Sequence, residues 1–180
     1  MLHGIFTLIV DTVAGFLAGV LLLRFWMQAV RIRAPASIAQ FIFTLSDWLV
    51  LPLRRLLPGI GGLDWASMVG AFLVALASTA IEMLLLSTFP LQIVFLSAVL
   101  QLVQWIFYGF MGLLIIEAIF SWVNPNAPLA PFVRALNDPL MRPLRRVIPP
   151  IANIDLTPII ALIALQVALQ LVRVFIAALV

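Results

Sequence analysis

The chain has 180 residues, 65% of them hydrophobic and 9% charged, with a mean hydropathy of +1.24. Soluble domains carry about 25% charged residues, so a water-soluble globular protein is excluded and a multi-pass membrane protein is indicated. All ten basic residues are arginine, the net charge is +3 and cysteine is absent, which excludes disulfides, thiolate metal sites and cysteine nucleophiles, while the lack of a basic run excludes nucleic acid as a partner.

The first apolar run predicts a membrane-spanning helix over about 5–27. Met1-Leu2-His3 offers no positive leader region, so the run reads as a retained helix rather than a signal peptide. Arg24, Arg31 and Arg33 close it and Pro35 stops its continuation. Over 37–51, Ser37, Gln40, Thr44 and Asp47 recur at three- and four-residue spacing, with Phe41, Ile42, Leu45, Trp48 and Leu49 on the other side. That pattern predicts an amphipathic helix lying in the interface, too short to span. A proline- and glycine-punctuated turn over 52–62 follows, carrying Arg54 and Arg55. The second span runs from Asp64, whose carboxylate suits the first-turn amides, to about Leu86.

After an uncharged link at 87–90 comes a long third run, Leu91 to Val123. At about 1.5 Å per residue it approaches 50 Å, against a hydrocarbon thickness of about 30 Å, and Gly109 and Gly112 are where it is expected to bend. Prolines 125, 128 and 131 break it. Residues 132–141 repeat the interfacial helix, with Phe132, Val133, Leu136 and Leu140 opposite Arg134, Asn137 and Asp138. A second Arg145-Arg146 turn follows, and a fourth span runs from Thr157-Pro158 onward.

The chain repeats itself. Pro52-Leu53-Arg54-Arg55 recurs as Pro143-Leu144-Arg145-Arg146 at an offset of 143 − 52 = 91, which also carries Asp47 onto Asp138 and Asp64 onto Asp155. This is a duplicated module, with a first copy at 1–90 and a second at 91–180. The fold class expected is an all-α membrane protein: four transmembrane helices in two parallel-oriented repeats, each with a cytoplasmic interfacial amphipathic helix and a Pro-Leu-Arg-Arg turn. Both arginine-bearing loops fall on one side, so the positive-inside rule places them in the cytoplasm and both termini outside, in the periplasm of a bacterial inner membrane.

Ionisable residues within the spans are costly to place and therefore informative. Asp11, Glu82 and Arg173 lie toward the outer leaflet, and Glu82 and Arg173 occupy positions related by the same offset, which suggests a pair across the repeats. Arg24 and Glu117 near the cytoplasmic ends suggest a second pair. The alternative for these charges is an ion or proton pathway. Gln92, Gln101, Gln104, Gln166 and Gln170 are candidates for interhelical hydrogen bonds. Arg54, Arg55, Arg145 and Arg146 are the candidate interface for anionic headgroups or partner carboxylates.

Catalysis has little footing: His3 is the single histidine, and no nucleophile elbow, zinc-binding helix motif or phosphate-cradling loop is present. No cofactor is expected. The twofold Asp, Pro-Leu-Arg-Arg, proline and Asp pattern, with Thr157-Pro158 after it in the second copy, resembles the YggT family of integral membrane proteins over nearly the whole chain. Ala66 departs from that pattern in the first copy. The resemblance implies no shared catalytic residue, and links to osmotic or ion homeostasis, cell division and envelope organisation, and cytochrome b maturation in chloroplasts. The function expected is a non-catalytic scaffold or assembly factor for membrane proteins, with the lipid bilayer, other membrane proteins and a second copy of the chain as partners. The alternative is a small transporter or channel component in osmotic or ion homeostasis.

Overall fold

The computed structural model describes residues 2–57, 59, 61–85, 91–147 and 157–178. Among these residues six α-helices follow one another: α1 (Leu2–Ala29), α2 (Ala36–Leu56), α3 (Trp65–Leu85), α4 (Leu91–Val123), α5 (Ala130–Val147) and α6 (Thr157–Ala177). All but α5 are long and apolar enough to cross a membrane, so five helices meet that criterion where the sequence predicts four. The additional one is α2, and the reason is its length. It does not end before Pro52 but continues through Arg54 and Arg55 to 21 residues.

The same continuation corrects the two expected turns. Pro-Leu-Arg-Arg is helical in both copies: Pro52 lies inside α2, Pro139 and Pro143 lie inside α5, and the arginine pairs form the last turns. Proline's fixed φ is compatible with a helix, and its cost is one missing hydrogen bond per ring. Past Pro52 the ladder resumes, the Leu57 amide donating to the Leu53 carbonyl at 2.8 Å. The reversal comes later, where Gly61 and Gly62 adopt φ of 70° and 78°, a region glycine enters without steric penalty. Gln28 Nε2 donates to the Gly62 carbonyl at 3.2 Å and ties this bend to the end of α1. That end is closed by Arg31 at φ 58°, with the Ile32 amide reaching back to the Met27 carbonyl at 2.9 Å, as in a Schellman cap.

Within each repeat the three helices all touch one another: α1, α2 and α3 in the first, α4, α5 and α6 in the second. The repeats meet where α4 lies against α1 and α3. Between apolar helices in lipid there is no hydrophobic drive, so close approach of small residues has to supply attraction. Ala18, Ala66, Ala71, Ala75, Ala98 and Ala161 are accordingly buried. At Gly15 an added Cβ would come 3.3 Å from Trp105 Nε1, so α4 packs closely against α1 there.

The buried stripes of α2 and α5 obey the duplication. Ile42, Ser46 and Val50 are buried on α2, and Val133, Asn137 and Met141 on α5, each shifted by the repeat offset. Val50 joins a cluster with Ala18, Leu21, Ala66 and Ala71, and Met141 one with Leu114 and Ala161. A third cluster, Val20, Met27, Ile42 and Leu136, sews the repeats together at the arginine end, helped by Trp26 Nε1 donating to the Leu136 carbonyl at 2.9 Å. The apolar side expected for α2 is divided. Ile42 faces protein, whereas Phe41 and Trp48 stay exposed along with many apolar side chains of α1 and α6, a surface suited to lipid rather than water.

Candidate functional site

Charges that the sequence scatters along the chain gather at the arginine end into two clusters, one per repeat. In the first, Arg24 of α1 is 5% exposed. It donates to Ser46 Oγ at 2.5 Å and Asp47 Oδ1 at 2.7 Å, and its Nε stands 3.4 Å from Asp64 Oδ2, an ionic contact rather than a hydrogen bond. Phe43 covers the guanidinium at 4.8 Å. Asp64, 3% exposed just ahead of α3, accepts both arms of Arg54, Nε at 3.1 Å and a terminal nitrogen at 2.6 Å, and the Ser67 hydroxyl at 2.7 Å. Burial pushes the Asp64 carboxyl up, but the hydrogen bonds from Arg54 and Ser67 and the charges of Arg54 and Arg24 outweigh it and hold its pKa below the ordinary carboxylate value. The cluster locks α1, α2 and α3 together.

The second cluster has the same plan with the charge on the first helix of the repeat reversed, Glu117 of α4 in place of Arg24 of α1. Glu117 of α4 accepts from Asn137 Nδ2 at 2.8 Å and from Arg145 at 3.3 Å, and Asn137 also donates to the Leu113 carbonyl at 2.9 Å. Asn137 is fully buried, not on the exposed polar side of α5 where the helical wheel puts it, because Glu117 requires a donor there. Its counterpart Ser46 instead accepts from a cation. Of these two small polar residues, sequence reasoning missed Ser46 and misplaced Asn137. The available signal was their shared offset, each standing between apolar residues four positions away on either side. Asp155, the counterpart of Asp64, lies outside the described residues.

The four arginines of the duplicated motif thus divide by position. The first of each pair turns inward, Arg54 to Asp64 and Arg145 to Glu117. All four are exposed, but the second of each pair, Arg55 and Arg146, takes part in no ion pair among the described residues. Asp138 pairs with Arg142 one turn along α5 at 2.6 Å.

Neither expected intramembrane pair forms. Arg24 is held by Asp47 and Asp64, and Glu117 by Arg145, because α2 and α5 bring nearer partners to each. Glu82 lies against Asp11 instead of Arg173. Asp11 accepts from Gln101 Nε2 at 3.2 Å, whose carbonyl takes the Ser78 and Thr79 hydroxyls at 3.1 and 2.7 Å. Glu82 Oε1 is buried with no hydrogen-bond partner among the described residues. Arg173 donates to the Tyr108 hydroxyl. Among the described residues no group of three or more histidines or carboxylates could hold a metal ion.

Comparison with known proteins adds the family. A family model described as CCB3/YggT matches residues 3–86 and again 96–176, one segment per repeat. The chain is 33% identical over 162 residues to the YggT protein of Escherichia coli (strain K12), covering 89% of this chain and 85% of that one. It is 34% identical to a protein of Pseudomonas aeruginosa, covering 91% and 86%, and 30% identical to a Vibrio alginolyticus protein named for the proC 3′ region, covering 89% of each. No solved structure matches. With a matched segment in each repeat, the chain belongs to the CCB3/YggT family of membrane proteins.

Proposed function

We propose that this protein is a non-catalytic scaffold of the bacterial inner membrane, whose helices α2 and α5 lie in the cytoplasmic interface and present Arg55 and Arg146 to anionic headgroups and acidic segments of partner membrane proteins. In this reading α1, α3, α4 and α6 cross the bilayer, and the two repeats share one orientation. The observation that carries it is the division within each exposed arginine pair: one residue fastens the helix to the bundle through a carboxylate, and the other, at the same place in both copies, takes part in no ion pair among the described residues. That α2 is the least apolar of the five long apolar helices supports its interfacial placement.

Phosphatidylglycerol carrying a spin label near its headgroup reads this directly in liposomes. Each interfacial arginine contributes about 1 kcal/mol near an anionic surface, so Arg55→Ala/Arg146→Ala should lower the preference for that lipid over phosphatidylcholine several-fold while leaving thermal stability unchanged. The second reading, an ion or proton carrier, is favoured by the Asp11–Glu82 contact, and the same liposomes test it. Proton flux lost on Glu82→Gln, together with an unaltered lipid preference in the arginine variant, would overturn the scaffold in favour of the carrier. Orientation has its own check: a reporter active only in the periplasm, fused after Val180, is expected to be active, and silence there refutes the four-span arrangement.

A further inference from the structure

Along α6, Gln166, Gln170 and Arg173 stand on one face at four- and three-residue spacing. They line a groove of about 520 Å³ whose other residues are Leu169 of α6 and Tyr108, Met111, Gly112 and Ile115 of α4. Both glutamines are exposed and form no hydrogen bond among the described residues. Arg173 has no carboxylate partner among them, and its Nε is buried without an acceptor. A cation and two amides left open on an otherwise apolar membrane helix are costly, so the groove calls for an occupant that brings negative charge and acceptor oxygens. We propose that the groove between α4 and α6 binds an anionic glycerophospholipid of the leaflet opposite the arginine clusters, its phosphate on Arg173 and its ester carbonyls on Gln170 and Gln166.

The order of groups along the helix matches the order along such a lipid. Arg173 lies sixteen residues after Thr157, about 24 Å along the helix at about 1.5 Å per residue, and one turn before the end of α6 at Ala177. Across about 30 Å of hydrocarbon that leaves its Cα about 6 Å short of the far edge, a gap that a snorkelling arginine side chain spans to reach a lipid phosphate. The amides come next toward the bilayer middle, where ester carbonyls lie and where NH₂ groups can donate to them. Met111, Ile115 and Leu169 supply apolar wall for an acyl chain. The bond from Arg173 to the Tyr108 hydroxyl fixes the guanidinium at the mouth, and an added Cβ at Gly112 would meet no atom within 4 Å, so the floor is open. A free anion would need the cation alone and leave both amides unmatched. This inference rests on α6 crossing the membrane and is independent of the scaffold role.

Tyr108 is the chain's one tyrosine, so fluorine-labelled tyrosine gives a single ¹⁹F NMR probe at the groove's mouth. In nanodiscs of phosphatidylcholine, stepwise addition of phosphatidylglycerol should move that resonance saturably. Arg173→Gln should abolish the shift, Arg173→Lys should retain it with weaker binding, Gln170→Leu should weaken binding several-fold, and Arg55→Ala/Arg146→Ala should leave it intact. Thermal melting in pure phosphatidylcholine is compared for every variant; the Arg173→Lys titration decides the matter if Arg173→Gln does not fold. An equal shift in wild type and in folded Arg173 variants overturns the proposal. So does a shift produced by inorganic phosphate alone, which would make this a free-anion site, and so does a shift in pure phosphatidylcholine that grows with copies per nanodisc, which would make the occupant a second chain.

Discussion

Replacing Arg24 by methionine should cost about 3 kcal/mol of stability, read as thermal melting in nanodiscs. Breaking a buried ion pair by removing one partner typically costs about 3–5 kcal/mol, because the other charge is left without compensation. Here the low end applies, since Arg54 still neutralises Asp64 through two hydrogen bonds and Asp47, 41% exposed, can turn to water. Arg54→Ala should cost less than about 1 kcal/mol, because that side chain is 42% exposed and its pairing is screened. The pH dependence has a definite sign. Asp64 is held below its ordinary pKa in the fold, so its contribution is complete above the unfolded value of about 3.9 and disappears as pH falls through the lower folded value. Wild type should therefore exceed Asp64→Asn in stability by a constant margin from pH 8 to pH 5, the gap closing only below about pH 4. A gap that closes near pH 6, or a loss for Arg24→Met no larger than for Arg54→Ala, would show that the cluster does not hold the three helices together.

How far such a cluster can be seen in advance depends on the kind of information that specifies it. Apolar runs and proline breaks mark six segments, and α4 matches its expected ends at Leu91 and Val123. The internal repeat is visible because it is a property of one dimension. Pairings between helices are not. Glu82 and Arg173 hold equivalent addresses in the two copies, but equivalence is not proximity: α3 lies on α1 and α4, whereas α6 lies on α4 and α5. Glu82 meets Asp11 of α1 instead. The end of α2 was misplaced for a different reason. Proline is weighed as a stop signal when read locally, yet a ring costs one hydrogen bond, and Arg54 gains a bidentate carboxylate only if the helix runs two residues past Pro52. Ser46 escaped notice because one small polar residue within an apolar stripe barely alters a helical pattern, and Asn137 was assigned to the solvent side because polar type alone places it there. What makes each necessary is the charge on another helix.

That dependence yields the sharpest test, in which one substitution made at equivalent positions gives opposite results. Asn137→Asp places a carboxylate against Glu117, whose oxygen now accepts from the Asn137 amide at 2.8 Å. The donor is lost and two negative charges meet in a site where both residues are buried. A stability loss of about 3 kcal/mol or more is expected at pH 7, with Arg145, 37% exposed and 3.3 Å away, able to offset little of it. Lowering the pH should recover part of the loss, because a proton on either carboxyl restores a donor between them. Ser46→Asp makes the corresponding change in the first repeat, but the new carboxylate meets Arg24, which already donates to the Ser46 hydroxyl. Its cost should stay near the about 1 kcal/mol of fitting a slightly larger side chain into a filled site, and acid should worsen it rather than relieve it. Equal losses with the same pH trend would mean that the two repeats do not carry buried charges of opposite sign. A loss confined to Asn137→Asp and reversed by acid identifies the charge on the membrane helix, α1 or α4, as what selects the polar residue on the helix beside it.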